Sequence, residues 1–475
     1  MYVCVWCGGR GLKEGPDQIQ SQRVFAYTYK PVEIRDFTLG LKFEDIPTSI
    51  ASKAADLVLD LLGVAAAAHP TDAARIARET AHSMFGPAPG APAARLLFDG
   101  RPTSPVGAAY AGASQIDSFD AHDGHPLTKG HTGVAILPTL LAFAEVSPPC
   151  SGREALTCMV IGYELATRAA MALHATVSDY HTSGAWNALA AAAVGARIRG
   201  LSDEALRQAM GIAEYHGPRS QMMREIDNPS MLHDGSGWGA LAGASATVLA
   251  EKGFTGAPAI TVEGQDAKSF WTDLGTTWLI AEHYIKPYPV CRWAHAVIDG
   301  ALAVRNKHNL VGDDVCAVEI ATYLDAAKLA TDMPKTTAKA QYSLAFPVAA
   351  AIQRGHVGVD EVMGSGFDDA GIARLVSATS VREEAAYNPP RARGRPSEVT
   401  LVLRDGRRIS SGKVVPRGGP DDPLEQAEVS AKFSDYATPL LGNDRVADIE
   451  RAVYALMEPG SQLDPLLALV LEPGH

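Results

Sequence analysis

Cysteine is scarce in this chain: six in 475 residues, at positions 4, 7, 150, 158, 291 and 316. So few, so scattered, exclude a disulfide-stapled scaffold and suit a reducing, cytoplasmic setting. The one C-x-x-C pair, Cys4 and Cys7, has no second pair or nearby histidine to complete a metal tetrahedron, and no zinc site is expected there. Aromatic residues make up only 7% of the chain. Blocks of lysine and arginine are missing, and the formal net charge is −12. That balance excludes a face built for phosphate backbones, so no nucleic-acid partner is expected, although a local pocket can still be cationic inside an acidic protein. No run of about 18 uninterrupted apolar residues appears, so no membrane span is expected. The N-terminus also lacks the basic, apolar, small-residue order of a secretory signal.

What is present is a large apolar share, 47% of residues, rich in Ala, Leu and Val at helical spacing. A mainly α protein with a sizeable core follows. The polar, glycine-rich "GGRGLKEGPDQIQSQ" reads as part of a disordered leader over residues 1–40. A first helix is expected to be capped by Asp45, with Pro47 in its opening turn and Ile50, Ala54, Leu57, Val58, Leu61 and Leu62 on one stripe. Further helices are expected over 133–146, 152–174, 183–199, 203–214 and 235–252. These make a helical domain over 41–290. The texture then changes: Cys316, Val318 and Ile320 alternate with their neighbours, as do Val399, Leu401 and Leu403 before an Asp405-Gly406 turn. An α+β domain is expected over 291–424, after which helical patterning returns and 425–475 rejoins the first body.

Three stretches carry chemistry. In "SFDAHDGHPLTKGHTGVAILPTLLAF" (118–143), preceded by Asp117, the residues Asp120, His122, Asp123, His125, Lys129 and His131 occupy a loop that feeds a buried helix. Backbone N–H groups at such a helix start suit a carboxylate ligand. Histidine beside carboxylate suits acid–base work near neutral pH. The alternatives are a metal site, for which His122 and His125 match no tight zinc template, and a plain solvated loop. "SDYHTSGAWNALAAAAVGARIRG" sets His181 ahead of a second buried helix capped by Thr182 or Ser183. "IKPYPVCRWAHAVID" sets Lys286, Tyr288, Arg292 and His295 around two prolines that brace the connector.

At these residues the chain resembles the MmgE/PrpD family, whose members include 2-methylcitrate dehydratase, cis-aconitate decarboxylase and iminodisuccinate epimerase. The resemblance runs through the loop above, "YHTSGAWNALAAAAVGARIRGLS", "AEKGFTGAP", "KPYPVCRWAH", "AQYSLAFPVAAAI" and "AEVSAKF", from about 45 to 470. It implies a large helical domain built from the N-terminal part and the extreme C-terminus, a smaller α+β lid, and a homodimer. It also implies an enzyme with no metal or organic cofactor, acting on small di- or tricarboxylates by taking a proton next to a carboxylate.

Carried over by resemblance, Asp120, His131 and His181 are catalytic, with His125 beside them. Lys286, Arg292, His295 and Tyr288 fall on the K-P-Y-P…H motif and bind substrate. Three departures stand out. Gly124 replaces a threonine, His233 in "PSMLHDGSGW" stands nearest a missing lysine, and Phe346 replaces a tyrosine. Lys129 and Arg219 are candidate replacement cations. The losses count against cis-aconitate decarboxylation and methylcitrate dehydration as such, and the favoured reading is a hydro-lyase on another di- or tricarboxylate. Epimerisation, decarboxylation and a non-catalytic carboxylate-binding homologue are the alternatives.

Overall fold

The computed structural model describes residues 34–389 and 394–474. Cys4, Cys7 and most of the expected leader lie outside the described residues. The part of that leader that is described is a helix, Ile34–Gly40, with Ile34 and Phe37 buried. The fold is mainly α with a smaller α+β region.

The first long helix is Thr48–Ala68. Ile50, Ala54, Leu57, Val58, Leu61 and Leu62 are all buried, as their spacing demands. Its cap differs from expectation: Pro47 holds the N-cap position, and Asp45 closes a separate short 3₁₀ turn, Phe43–Asp45, bonding the Lys42 backbone. The next helices follow the punctuation: Pro105–Asp117, Gly133–Glu145, Gly152–Thr176, Gly184–Ile198, Asp203–His216 and Ser236–Glu251. Long runs of alanine and glycine let these helices approach closely. Gly184–Ile198 packs on Ser236–Glu251, Gly152–Thr176 and Asp203–His216, and forms the centre of the body. Gly152–Thr176 is long and apolar enough to cross a membrane by composition, but 94% of that window is buried inside the protein. It is a core helix.

Two short strands, β1 (Ala94–Arg95) and β2 (Pro102–Thr103), form a small antiparallel pair. The main sheet has β3 (Val315–Thr322), β4 (Thr379–Glu383), β5 (Ser397–Leu403) and β6 (Arg408–Ser410), in the order β4-β3-β5-β6. β3 runs parallel to β4 and antiparallel to β5, with Val318 opposite Leu401 and Ile320 opposite Val399. Val318, Ile320, Val399, Leu401 and Leu403 point into the core. Cys316 shares their alternation but is exposed. A register shift between Val315 and Ala317 turns it outward, as an extra residue in one strand does.

The chain returns as a long helix, Gln426–Ala455, broken near Pro439 at Gly442 (φ 74°). It lies along Thr48–Ala68. There Lys432 forms a buried ion pair with Asp60 at 2.5 Å and donates to the Ala121 carbonyl at 2.7 Å. The C-terminal helix therefore reaches the loop that carries Asp120.

Candidate functional site

The loop between helices Pro105–Asp117 and Gly133–Glu145 is buried, which rules out a solvated loop: Asp120 is 4% exposed and His131 8%. Its backbone is held from three sides. The Asp120 N–H donates to Gln341 Oε1 (2.9 Å), whose amide nitrogen donates to the Ser118 carbonyl (3.3 Å). Gly124 pairs with Tyr284 through two backbone bonds, of 3.2 and 2.9 Å. The His131 N–H donates to Ser183 Oγ at 2.9 Å. The segment that carries Lys286 thus lies beside the segment that carries Asp120.

Neither helix start nearby is open to a ligand. The Gly133 N–H donates to Asp123 Oδ2 (3.4 Å). At the other helix, the Ser183 and Gly184 N–H groups are both taken by Asp234, through Oδ1 and its carbonyl (3.0 Å each). Ser183 occupies the N-cap position, yet its hydroxyl donates to Asp234 Oδ1 (2.7 Å) instead of capping. The expected carboxylate seat at a helix dipole is filled by the protein's own aspartates.

The Lys286 ammonium forms an ion pair with Asp120 Oδ1 and donates to the Asp120 carbonyl at 3.2 Å. His131 Nε2 faces two carboxylates, Asp120 Oδ1 at 3.6 Å and Asp234 Oδ2 at 3.5 Å. His131 Nδ1 lies 2.6 Å from the Asp123 carbonyl. A carbonyl only accepts, so Nδ1 carries the proton and Nε2 is the exchanging nitrogen. Burial pushes the Asp120 carboxyl up, but Lys286 and His131 outweigh it and hold the group below its ordinary range. Asp117 is pushed well above that range by burial and by Asp234 and Asp120. His122, whose ring lies 4.1 Å from that of His131, is held well below its usual value by burial, then by His131 and Lys286.

Asp120, His131, Asp234 and Lys286 line one cavity together with Lys129, exposed at its rim, and Tyr180, Tyr284, Cys291, Arg292, Tyr342 and Arg395. Its interior is about 20 Å³, room for a single water. The lining carries four formal positive charges (Lys129, Lys286, Arg292, Arg395) against two negative (Asp120, Asp234), a surplus of two inside a chain of net charge −12. Arg292 donates to the Arg417 and Pro416 carbonyls (2.6 and 3.1 Å) and stacks over Tyr284, and burial brings its pKa down to about 10.

The structure therefore brings together Asp120, His131, Lys286, Arg292 and Lys129 of the expected set. It leaves six others off the cavity. The His181 Nδ1 is taken by the Asp179 carbonyl (2.9 Å) and its ring stacks on His174. His125 faces Glu282 (3.4 Å) and the His283 ring. The Tyr288 hydroxyl donates to Asp299 (2.7 Å), and His295 bonds the Val290 carbonyl (3.0 Å). His233 lies behind the wall, its ring 6.0 Å from that of Tyr342. Arg219 is exposed and lines no part of the cavity.

Among the described residues, one group could hold a metal: Asp120, His122 and His131, with donor atoms within 4.8 Å of one another. The Lys286 ammonium already occupies the Asp120 oxygen that faces His131, so a cation there would have to displace it.

Sequence reading missed Asp234, Tyr284, Tyr342 and Arg395. The first three sit in or next to motif residues, in "LHDG", "YIKPYP" and "AQYSLAF"; Arg395 had no signal in the sequence. Their chemistry restores what the motifs lack. A β-carbon at Gly124 would collide with the Tyr284 phenol, so that hydroxyl stands where the threonine side chain would be. Phe346 stacks on Phe367 in the core, while Tyr342, one turn earlier, puts a phenol on the cavity. Arg395 adds the third cation of the inner wall, beside Lys286 and Arg292.

Comparison with known proteins gives two family matches: the MmgE/PrpD N-terminal domain over residues 32–271 and the MmgE/PrpD C-terminal domain over residues 288–457. Cis-aconitate decarboxylase of Mus musculus is 24% identical, over 90% of this chain and 91% of its own length. The Homo sapiens protein of that name is 24% identical over 90% and 92%. A cis-aconitate decarboxylase-like protein of Aspergillus oryzae is 22% identical over 92% and 96%.

Proposed function

Because this chain belongs to the MmgE/PrpD family, we propose that it is a lyase acting on a small di- or tricarboxylate by moving a proton on a carbon next to a carboxylate. The observation that carries this reading is the pairing of His131 with Asp120 and Lys286 in a cavity with surplus positive charge. Lys286 and Arg292 neutralise the substrate carboxylate next to the reacting carbon, which makes its proton removable. His131 Nε2 takes that proton, and the Asp120 and Asp234 carboxylates stabilise the imidazolium that results. The phenols of Tyr284 and Tyr342 face the opposite charge as it develops.

Loss of hydroxide from the neighbouring carbon makes the reaction a hydro-lyase, our first reading. Decarboxylation is the second, supported by the names of the relatives and by the hydroxyl, phenol and cation that Tyr284, Tyr342 and Arg395 supply. Both would proceed in a lid-covered site without a metal or organic cofactor. The four described cysteines are unpaired, which supports a cytoplasmic setting. We also propose a homodimer: exposed Met231, Leu232 and Trp238 line a groove beside Asp117 and His233, an apolar face suited to a second copy.

The test is turnover of citrate, 2-methylcitrate, malate and cis-aconitate in deuterated buffer, followed by NMR. Net loss of water marks a hydro-lyase, carbon dioxide release a decarboxylase, and exchange without net change an epimerase. His131→Ala is expected to lower turnover by about 10²–10⁴-fold. A parent enzyme that binds these acids but turns over none of them, or a His131→Ala variant as active as the parent, would sink the enzyme reading.

A further inference from the structure

The guanidinium of Arg395 is held unlike those of the buried Arg292 and Arg168. Arg292 is tied to two carbonyls, and Arg168 to carbonyls and to Glu164 and Asp273. Arg395 is half-buried and lines the same cavity as Asp120 and His131, yet among the described residues no hydrogen bond or ion pair holds it. Its electrostatic neighbours are the Tyr323, Tyr284 and Tyr180 phenols and the Cys291 thiol, all uncharged near neutral pH. A partly desolvated cation without an anion is unfavourable unless one arrives.

Its backbone points the same way. Arg395 has φ 57°, in the left-handed region that side-chain-bearing residues avoid. Five non-glycine residues among those described are in that region. Two of them, Lys129 and Arg395, line this cavity from opposite parts of the fold, and His233 stands behind its wall. Strained backbone retained at a cavity marks a position fixed by function.

We infer that Arg395 is an anion-binding residue delivered to the cavity by the segment leading into β5, and that it holds a substrate carboxylate remote from the reacting carbon, between the Tyr180 and Tyr284 side chains. This rests on the carboxylate-lyase reading and adds the determinant of substrate class. Lys286 and Arg292 serve the carboxylate next to the reacting carbon. Arg395 serves another, so acids with only one carboxylate lack its contribution. A planar guanidinium suits a carboxylate through two parallel bonds, which a lysine cannot reproduce.

Calorimetric titration with three unreactive acids, tricarballylate, glutarate and butyrate, tests the assignment. Wild-type protein is expected to prefer tricarballylate. Arg395→Gln should weaken tricarballylate by about 10- to 100-fold, and Arg395→Lys should recover only part of that, with butyrate binding unchanged in both. Lys286→Met should weaken all three acids. Melting temperatures within a degree or two of the wild type exclude a folding defect, and the lysine variant provides the comparison should the glutamine variant fold poorly. Unaltered tricarballylate binding in Arg395→Gln, alongside its loss in Lys286→Met, overturns the role of Arg395 and leaves the carboxylate reading standing. A wild-type protein that binds none of the acids overturns both.

Discussion

At Asp120 and Asp123, three residues apart on one loop, burial and neighbouring charge compete with opposite results. Lys286 and His131 win at Asp120, so its ionised form contributes stability above the ordinary carboxylate pKa, and this is lost as pH falls through the lower folded value. At Asp123 burial wins against His131, and the group is raised to about 6. The sign reverses: the folded state keeps a proton that the unfolded chain gives up, so Asp123 lowers stability as pH rises from about 4 to about 6. Asp123→Asn is therefore expected to gain up to roughly 3 kcal/mol relative to the wild type across that window. Urea unfolding at stepped pH measures it; a difference that stays flat from pH 4 to 6 refutes the assignment.

Among the elements, the helix Gln426–Ala455 has a role that its position in sequence conceals. Lys432 reaches from it to Asp60 on Thr48–Ala68 and to the carbonyl next to Asp120. Both charged groups are buried, so removing one leaves the other stranded. Lys432→Met is expected to lose about 3–5 kcal/mol of stability, and the double variant Asp60→Asn/Lys432→Met to recover much of it. Denaturant midpoints for both single variants and the double decide the matter: a double variant whose loss equals the sum of the two single losses would mean that the pair is not coupled. The sheet teaches a related lesson. Alternation locates β3 and β5, but a bulge depends on the partner strand, so alternation alone puts Cys316 on the face it does not occupy.

For the whole molecule, what could be read in advance was whatever is periodic or contiguous. Alanine-rich helices, the alternating strands and the Asp120–His131 loop all announce themselves within a few tens of residues. The cavity does not, because Asp120, Asp234, Lys286, Tyr342 and Arg395 come from five separate segments. What each ring faces separates the histidines: all three are held by a backbone carbonyl, but His131 turns its other nitrogen to Asp120 and Asp234, whereas the His181 ring stacks on His174 and the His295 ring lies against Tyr288. Quaternary structure belongs to this scale too. Trp238 is 57% exposed in the groove beside Asp117. Sedimentation velocity is expected to give a dimer for the parent and a monomer for Trp238→Glu, and a monomeric parent would remove the proposed interface.

An interior of about 20 Å³ has a practical consequence. An organic acid needs more room than a single water, so Lys129, exposed at the rim, and the side chains beside Arg395 must shift before one reaches Lys286. Crystals packed in this arrangement should crack or stay empty when soaked, and capturing a complex calls for growing them with the acid already present.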